Sequence, residues 1–118
     1  MIFSSELIKG TLKTIVLKLL ADNSKMYGYE ITQVVKEMSG EQILVKEGSL
    51  YPALHKLEAD GLVVTEEVFI GKRVRKYYSL TPVGKTATAE SVDELLRFLN
   101  TIHQLITAQT NPAYAIPE

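Results

Sequence analysis

Residues 48–84 read GSLYPALHKLEADGLVVTEEVFIGKRVRKYYSLTPVG, and this stretch decides the fold. Its first part, Gly48 to Asp60, has Leu50, Ala53, Leu54 and Leu57 at helical spacing and is stopped by Gly61. Two strand-like runs follow, Leu62–Phe69 and Val74–Leu80, joined by the basic link Ile70-Gly71-Lys72-Arg73. Thr81 and Pro82 then supply an N-cap and a first helical residue. A helix running directly into a two-stranded hairpin with a basic tip is the layout of a winged helix-turn-helix that reads DNA. In that layout the helix can enter the major groove, and the hairpin can touch the adjoining backbone or minor groove.

Upstream, two more helices are expected. Residues 6–21 carry Leu7, Ile8, Leu12, Ile15, Val16, Leu19 and Leu20 on one face, with Lys9, Lys13 and Lys18 off it. Gly10 costs such a helix about 1 kcal/mol unless close packing needs its missing side chain. Residues 28–38 turn Ile31, Val34, Val35 and Met38 inward, and Ser39-Gly40 stops them. Tyr27 and Tyr29 read as packing residues. Ile43-Leu44-Val45 reads as a short extended piece against the core. In the helix at 48–60, Pro52 is expected in the first turn, where a missing N–H has no intrahelical partner. On the hairpin's return strand Tyr77 and Tyr78 must face opposite ways, and alternation does not say which is buried.

Composition bounds the rest. One domain of 118 residues with 46% hydrophobic residues can bury a core. The absence of cysteine removes disulfides, thiolate metal sites and thiol redox sensing. Two histidines alone, His55 and His103, argue against a metal site, and no cofactor is expected. No apolar run approaches a membrane span, and the charged residues within the first twenty do not suit a secretory signal, so a cytoplasmic protein with no membrane partner is expected. No glycine-rich phosphate loop, nucleophile elbow or metal-binding helix motif is present, so an enzyme is not expected. The formal net charge is −1, but residues 70–85 hold five basic residues and no acid, leaving 8 basic and 14 acidic residues elsewhere. Such concentration on one element suits a DNA-contacting surface on an otherwise acidic body.

The candidate contacts follow. Ser49, Tyr51, His55 and Lys56 lie on the exposed face of the helix at 48–60, residue types that bind phosphates and base edges. Lys72, Arg73, Arg75 and Lys76 supply the wing's contacts, with alternation placing Arg73 and Arg75 on one side and Lys72 and Lys76 on the other. Beyond Thr81, a long helix to about residue 108 carries Val92, Leu95, Leu99, Ile102 and Ile106 at intervals of three and four, the seam of a homodimer. Leu96, Phe98 and Leu105 widen the stripe and are expected to pack on the first helix or the wing domain. Leu95, Phe98 and Leu99 could line a pocket for a hydrophobic small molecule; the competing reading is a filled dimer seam.

The same residues resemble a known family, the PadR family of bacterial transcription regulators. Its pattern has a Tyr-Gly-Tyr-Glu-Ile-like segment, then Gly-Ser/Thr-Leu-Tyr-Pro-x-Leu-x-x-Leu-Glu-x-x-Gly-Leu, then Arg-Lys-Tyr-Tyr-x-Leu-Thr-x-x-Gly. Residues 27–31, 48–62 and 75–84 match these in order, and residues 7–12 fit the family's first helix. The resemblance covers roughly residues 6–84 and implies the compact branch with one C-terminal dimerisation helix.

The expectation is therefore a mainly α protein with a small β-hairpin. A winged helix-turn-helix domain would span residues 1–82, a dimerisation helix 83–108 and a mobile tail 109–118. Its function would be that of a dimeric repressor bound to a pseudo-palindromic operator in double-stranded DNA, relieved by a small molecule or another signal. The alternative is a winged-helix module used only for protein–protein contact, against which the basic wing argues.

Overall fold

A computed structural model describes residues 1–110, so the expected tail lies mostly outside the described residues. The chain forms α1 (Ser5–Lys9), α2 (Leu12–Asp22), β1 (Met26–Tyr27), α3 (Gly28–Met38), α4 (Glu47–Ala59), β2 (Val63–Ile70), β3 (Arg73–Leu80) and α5 (Pro82–Thr107). The strands make one antiparallel sheet in the order β1-β3-β2. This is a mainly helical winged-helix fold, with a third strand that the hydrophobic pattern did not reveal.

The first helix is broken where one continuous helix was expected. At Thr11 both the backbone N–H and the side-chain hydroxyl donate to the Ile8 carbonyl, each at 2.9 Å, closing α1 with a tight turn. The Thr11 carbonyl then accepts from Ile15 N–H and begins α2. A Cβ on Gly10 would meet nothing within 4 Å, so close packing within the chain is not what this glycine serves. Leu7 is exposed, contrary to the expected stripe, while Ile8 beside it on α1 is buried. Leu17, outside that stripe, is fully buried. The reason is that α2 packs against α4, α5 and β3 together, which needs a wider apolar surface than one face.

Helix ends follow the glycines. At the end of α4, Leu62 N–H bonds to Leu57 O and Gly61 N–H to Glu58 O, with Gly61 at φ +75°, a Schellman cap. The same pair of bonds, Glu41 to Lys36 O and Gly40 to Glu37 O, ends α3. Because α4 begins at Glu47, Pro52 falls in its second turn and not in the first. It withholds the N–H that would have reached the Gly48 carbonyl, which lies at the exposed start of the helix where water can reach it. Residues 42–46 form no regular element and do not join the sheet; Val45 is buried and Leu44 is partly exposed.

The core is one cluster from α2, α3, α4, β1 and the base of the wing, with Val16, Leu17, Ile31, Leu50, Leu54 and Tyr78 at its centre. Tyr78 is the buried one of the two wing tyrosines. β1 explains this: its Met26 pairs with Tyr78 on the face that meets the helices, and its Tyr27 pairs with Tyr77 on the outer face. Burial raises the Tyr78 phenol above its ordinary value.

Thr81 staples the wing to α5. Its hydroxyl caps Gly84 N–H at 3.0 Å and reaches the Gly61 carbonyl at 2.7 Å, while its N–H donates to Leu62 O. The first half of α5 then lies on α2, where Thr14 and Ser91 hydroxyls share a 2.6 Å hydrogen bond.

Candidate nucleic-acid interface

The helix before the wing, α4, turns Leu50, Leu54 and Leu57 into the core, which leaves Ser49, His55 and Lys56 outward. Lys56 pairs with Asp60 one turn on at 3.5 Å, yet its side chain stays 78% exposed. A surface pair of that kind contributes little and leaves the ammonium available to another anion. Tyr51 sits differently. It is half-buried against the core, and a Cβ built on Gly28 would lie 2.6 Å from its hydroxyl oxygen. Glycine at the first position of α3 is what lets the Tyr51 ring wedge between the two helices. Lys46, which sequence pattern left in the connection, is the N-cap residue of α4 and is exposed beside helix amides that no side chain caps. A basic residue immediately before a helix start is the signal that would have found it.

The wing turns through Gly71-Lys72 between the paired residues Ile70 and Arg73. Gly71 has φ +65° and Lys72 does not take a left-handed conformation, the pattern of a type II′ hairpin turn. Lys72 and Arg73 are exposed at this tip. Arg75 and Lys76 differ from them. The Arg75 guanidinium lies 4.0 Å from the centre of the Tyr27 ring, and its Nη1 donates to the Tyr77 hydroxyl at 3.5 Å. That hydrogen bond raises the Arg75 pKa further, so the group is charged at every working pH. Lys76 points to the other face, with its ammonium 4.0 Å from a Glu58 carboxylate oxygen on α4 and above the Tyr78 ring.

Wing and helices together enclose a cleft of about 630 Å³, whose walls include Tyr27, Tyr29, Tyr51, Arg73, Arg75 and Lys76. Residues expected on two separate elements thus border one concave surface. Ser49, His55, Lys56 and Lys72 lie outside its lining.

The α5 residues divide by position. Val92 and Leu95 form one wall of a second, apolar groove of about 450 Å³ that also involves Ile15, Leu19, Val35 and Met38. Met38, expected inward, is 76% exposed at its rim, where it is the last residue of α3. Further along α5, Leu99 is 49% exposed, Ile102 is half-buried and Ile106 is 77% exposed. Leu96, 61% exposed, borders that groove opposite Ile15 and Leu19 of α2, whereas Phe98 and Leu105 are exposed outside it, where α5 outruns the body beneath it. Phe98 and Leu99 are not brought with Leu95 into the groove. Among the described residues no helix is long and apolar enough to cross a membrane.

Comparison with known proteins accounts for this arrangement. The model of the family described as "Transcriptional regulator PadR-like family" matches residues 16–90. The chain is 38% identical over 95 residues to the transcriptional regulator Rv3488 of Mycobacterium tuberculosis, covering 78% of this chain and 85% of that one. It is 35% identical over 75 residues to the negative transcriptional regulator PadR of Bacillus subtilis, covering 63% of this chain and 41% of that one. Among solved structures, a transcriptional regulator from Clostridium thermocellum superposes with a TM-score of 0.79 at 29% identity, over 87% of this chain and all of that one. Bacillus subtilis PadR in complex with operator DNA superposes with a TM-score of 0.62 at 28% identity, over 92% of this chain and 53% of that one. These are regulators and not enzymes, and the chain belongs to the PadR-like family of transcriptional regulators.

Proposed function

We propose that the chain is a sequence-specific repressor that binds a pseudo-palindromic operator as a homodimer and is released by a signal. The observation that carries DNA binding is the cleft bordered by Tyr51 of α4 and Arg73 of the wing. An exposed helix face and a basic hairpin tip there flank one concave surface. Ser49, Tyr51, His55 and Lys56 then address the major groove, Tyr51 from a position fixed by Gly28. Lys72 and Arg73 meet phosphate or the minor groove, and Lys46 adds charge at the start of α4. The repressor sense is supported by the name of the Bacillus subtilis relative, a negative regulator. Pairing through Val92, Leu95, Leu99, Ile102 and Ile106 is supported by the apolar length of α5 left uncovered. Relief would come from a hydrophobic compound held between paired α5 helices near Leu95, Phe98 and Leu99, or from another signal acting there.

Selection of bound fragments from a random DNA pool tests the reading and yields the operator. With that operator, Lys72→Ala combined with Arg73→Ala should weaken binding to all sequences. Each lost phosphate contact should lower the log–log salt slope by about 1. A folded double variant with unchanged affinity and slope would remove the wing from the interface. Lys56→Ala should instead reduce the preference for operator over random DNA, by about 1–3 kcal/mol if the contact is a paired one to a base edge. An unchanged preference with weaker binding overall would make Lys56 a phosphate contact.

A further inference from the structure

The distal part of the wing lacks a third strand. β1 is two residues long and its pairing ends at Tyr27 opposite Tyr77, so the pairs Val68–Arg75, Phe69–Val74 and Ile70–Arg73 form a bare ribbon. Two-stranded ribbons twist readily and are weakly held by themselves. What holds this one is a set of side chains on the outer face of the sheet. The Tyr27 ring extends forward from β1 to lie under the Arg75 guanidinium at 4.0 Å. Tyr27 and Tyr77 meet edge to face with centroids 5.5 Å apart, and Arg75 bonds to the Tyr77 hydroxyl. Lys25 lies 4.8 Å from the centre of the Tyr77 ring and reaches Glu66 of β2 at 3.5 Å, so the set spans all three strands. Tyr27 is also the N-cap residue of α3, its N–H donating to Glu30 at 3.3 Å. On the inner face, the neighbouring Lys76 ties the same strand to Glu58 of α4.

We propose that the Arg75–Tyr27 stack is a latch that fixes the angle of the wing against α3 and α4, so that Arg75 is a positioning residue and not a phosphate contact. Its benefit to DNA binding rests on the function proposed above; its hold on the wing does not. A guanidinium with one face on a ring and one N–H on a phenol is committed within the protein, whereas Arg73 two residues away is exposed at the tip. The latch places the tip's two cations where the backbone of bound DNA will pass.

The test compares Arg75→Gln, Tyr27→Leu and the two combined, with Arg73→Gln as reference, in the whole protein. In the absence of DNA, amide hydrogen exchange at Val68 and Ile70, whose N–H groups face β3 in the distal ladder, should quicken in both latch variants while α2 and α4 exchange as in the parent. On the selected operator, each latch variant should lose about two- to fivefold in affinity, with the salt slope unchanged. The combined variant should lose no more than either alone. Arg73→Gln should lower the slope by about 1. The latch is overturned if Arg75→Gln also lowers the slope by about 1 while Tyr27→Leu leaves affinity intact, or if wing exchange is the same in all variants. A parent protein that selects no DNA refutes the proposed function, and the exchange measurement still decides the latch.

Discussion

Replacing Leu99 and Ile102 together by glutamate should leave a folded monomer that no longer binds its operator tightly. The two side chains lie on the part of α5 that has outrun the body: Leu99 is about half exposed and Ile102 half-buried, so neither anchors the core. α5 has 26 residues, about 39 Å of helix, and only its first half rests on α2. The remaining apolar face would gain about 1.5–3 kcal/mol for each large side chain that a partner helix buried completely. Glutamate at both positions would set four carboxylates along a two-fold seam, where unpaired buried charge is strongly unfavourable. A dimer would present two α4 helices to successive major grooves, with half-sites about 10 bp apart. Losing the second half-site should cost about 10²–10⁴ in apparent affinity. Sedimentation of parent and variant at micromolar concentration, paired with operator titration, is the direct measurement. A parent that sediments as a monomer yet protects a palindromic site as one unit would end the dimer model.

What the sequence made legible follows its strongest punctuation. Gly61 and Gly71, with Thr81-Pro82, mark the end of α4, the wing turn and the start of α5, and each falls where a cap or a left-handed residue is required. Pattern alone could not find β1. Two residues carry no periodicity, and Met26-Tyr27 becomes a strand only because β3 offers an open edge. That omission is why Tyr77 and Tyr78 could not be told apart, since pairing with β1 fixes which face meets the helices. It is also why the stacking of Arg75 on Tyr27 was not foreseen. Tyr77 lies two residues along the same strand, but Tyr27 comes from β1, whose pairing with β3 the local pattern does not encode. The apolar stripe of α5 was legible as a stripe. Where Phe98 and Leu105 would point was not, because that depends on how far α2 extends beneath them.

Gly84→Ala should be among the most destabilising single changes in the chain, although alanine favours a helix by about 1 kcal/mol over glycine. Gly84 lies in the first turn of α5, and a Cβ there would come 2.0 Å from the Leu62 carbonyl oxygen and 3.0 Å from its carbon. That carbonyl cannot simply retreat. It accepts the Thr81 N–H at 3.0 Å and lies 3.2 Å from the Thr81 hydroxyl, the group that caps α5. Leu62 itself is held by the cap that ends α4. Relief therefore requires α5 to lift from the junction of α4 and the wing, with a cost of about 2–4 kcal/mol and a fall in Tm of roughly 10 °C. Gly28→Ala is the informative contrast. Its Cβ would meet only the outer end of the Tyr51 ring, which can swing aside, so stability should fall less while the placement of Tyr51 at the cleft changes. Thermal and denaturant unfolding of the two variants separates them, and a Gly84→Ala protein as stable as the parent would show that α5 is not seated on Leu62. Because the same contact sets the angle at which α5 leaves the winged helix, any Gly84→Ala protein that remains folded should bind the parent's operator poorly. Lengthening or shortening the operator's central spacer by one base pair should then restore part of its affinity.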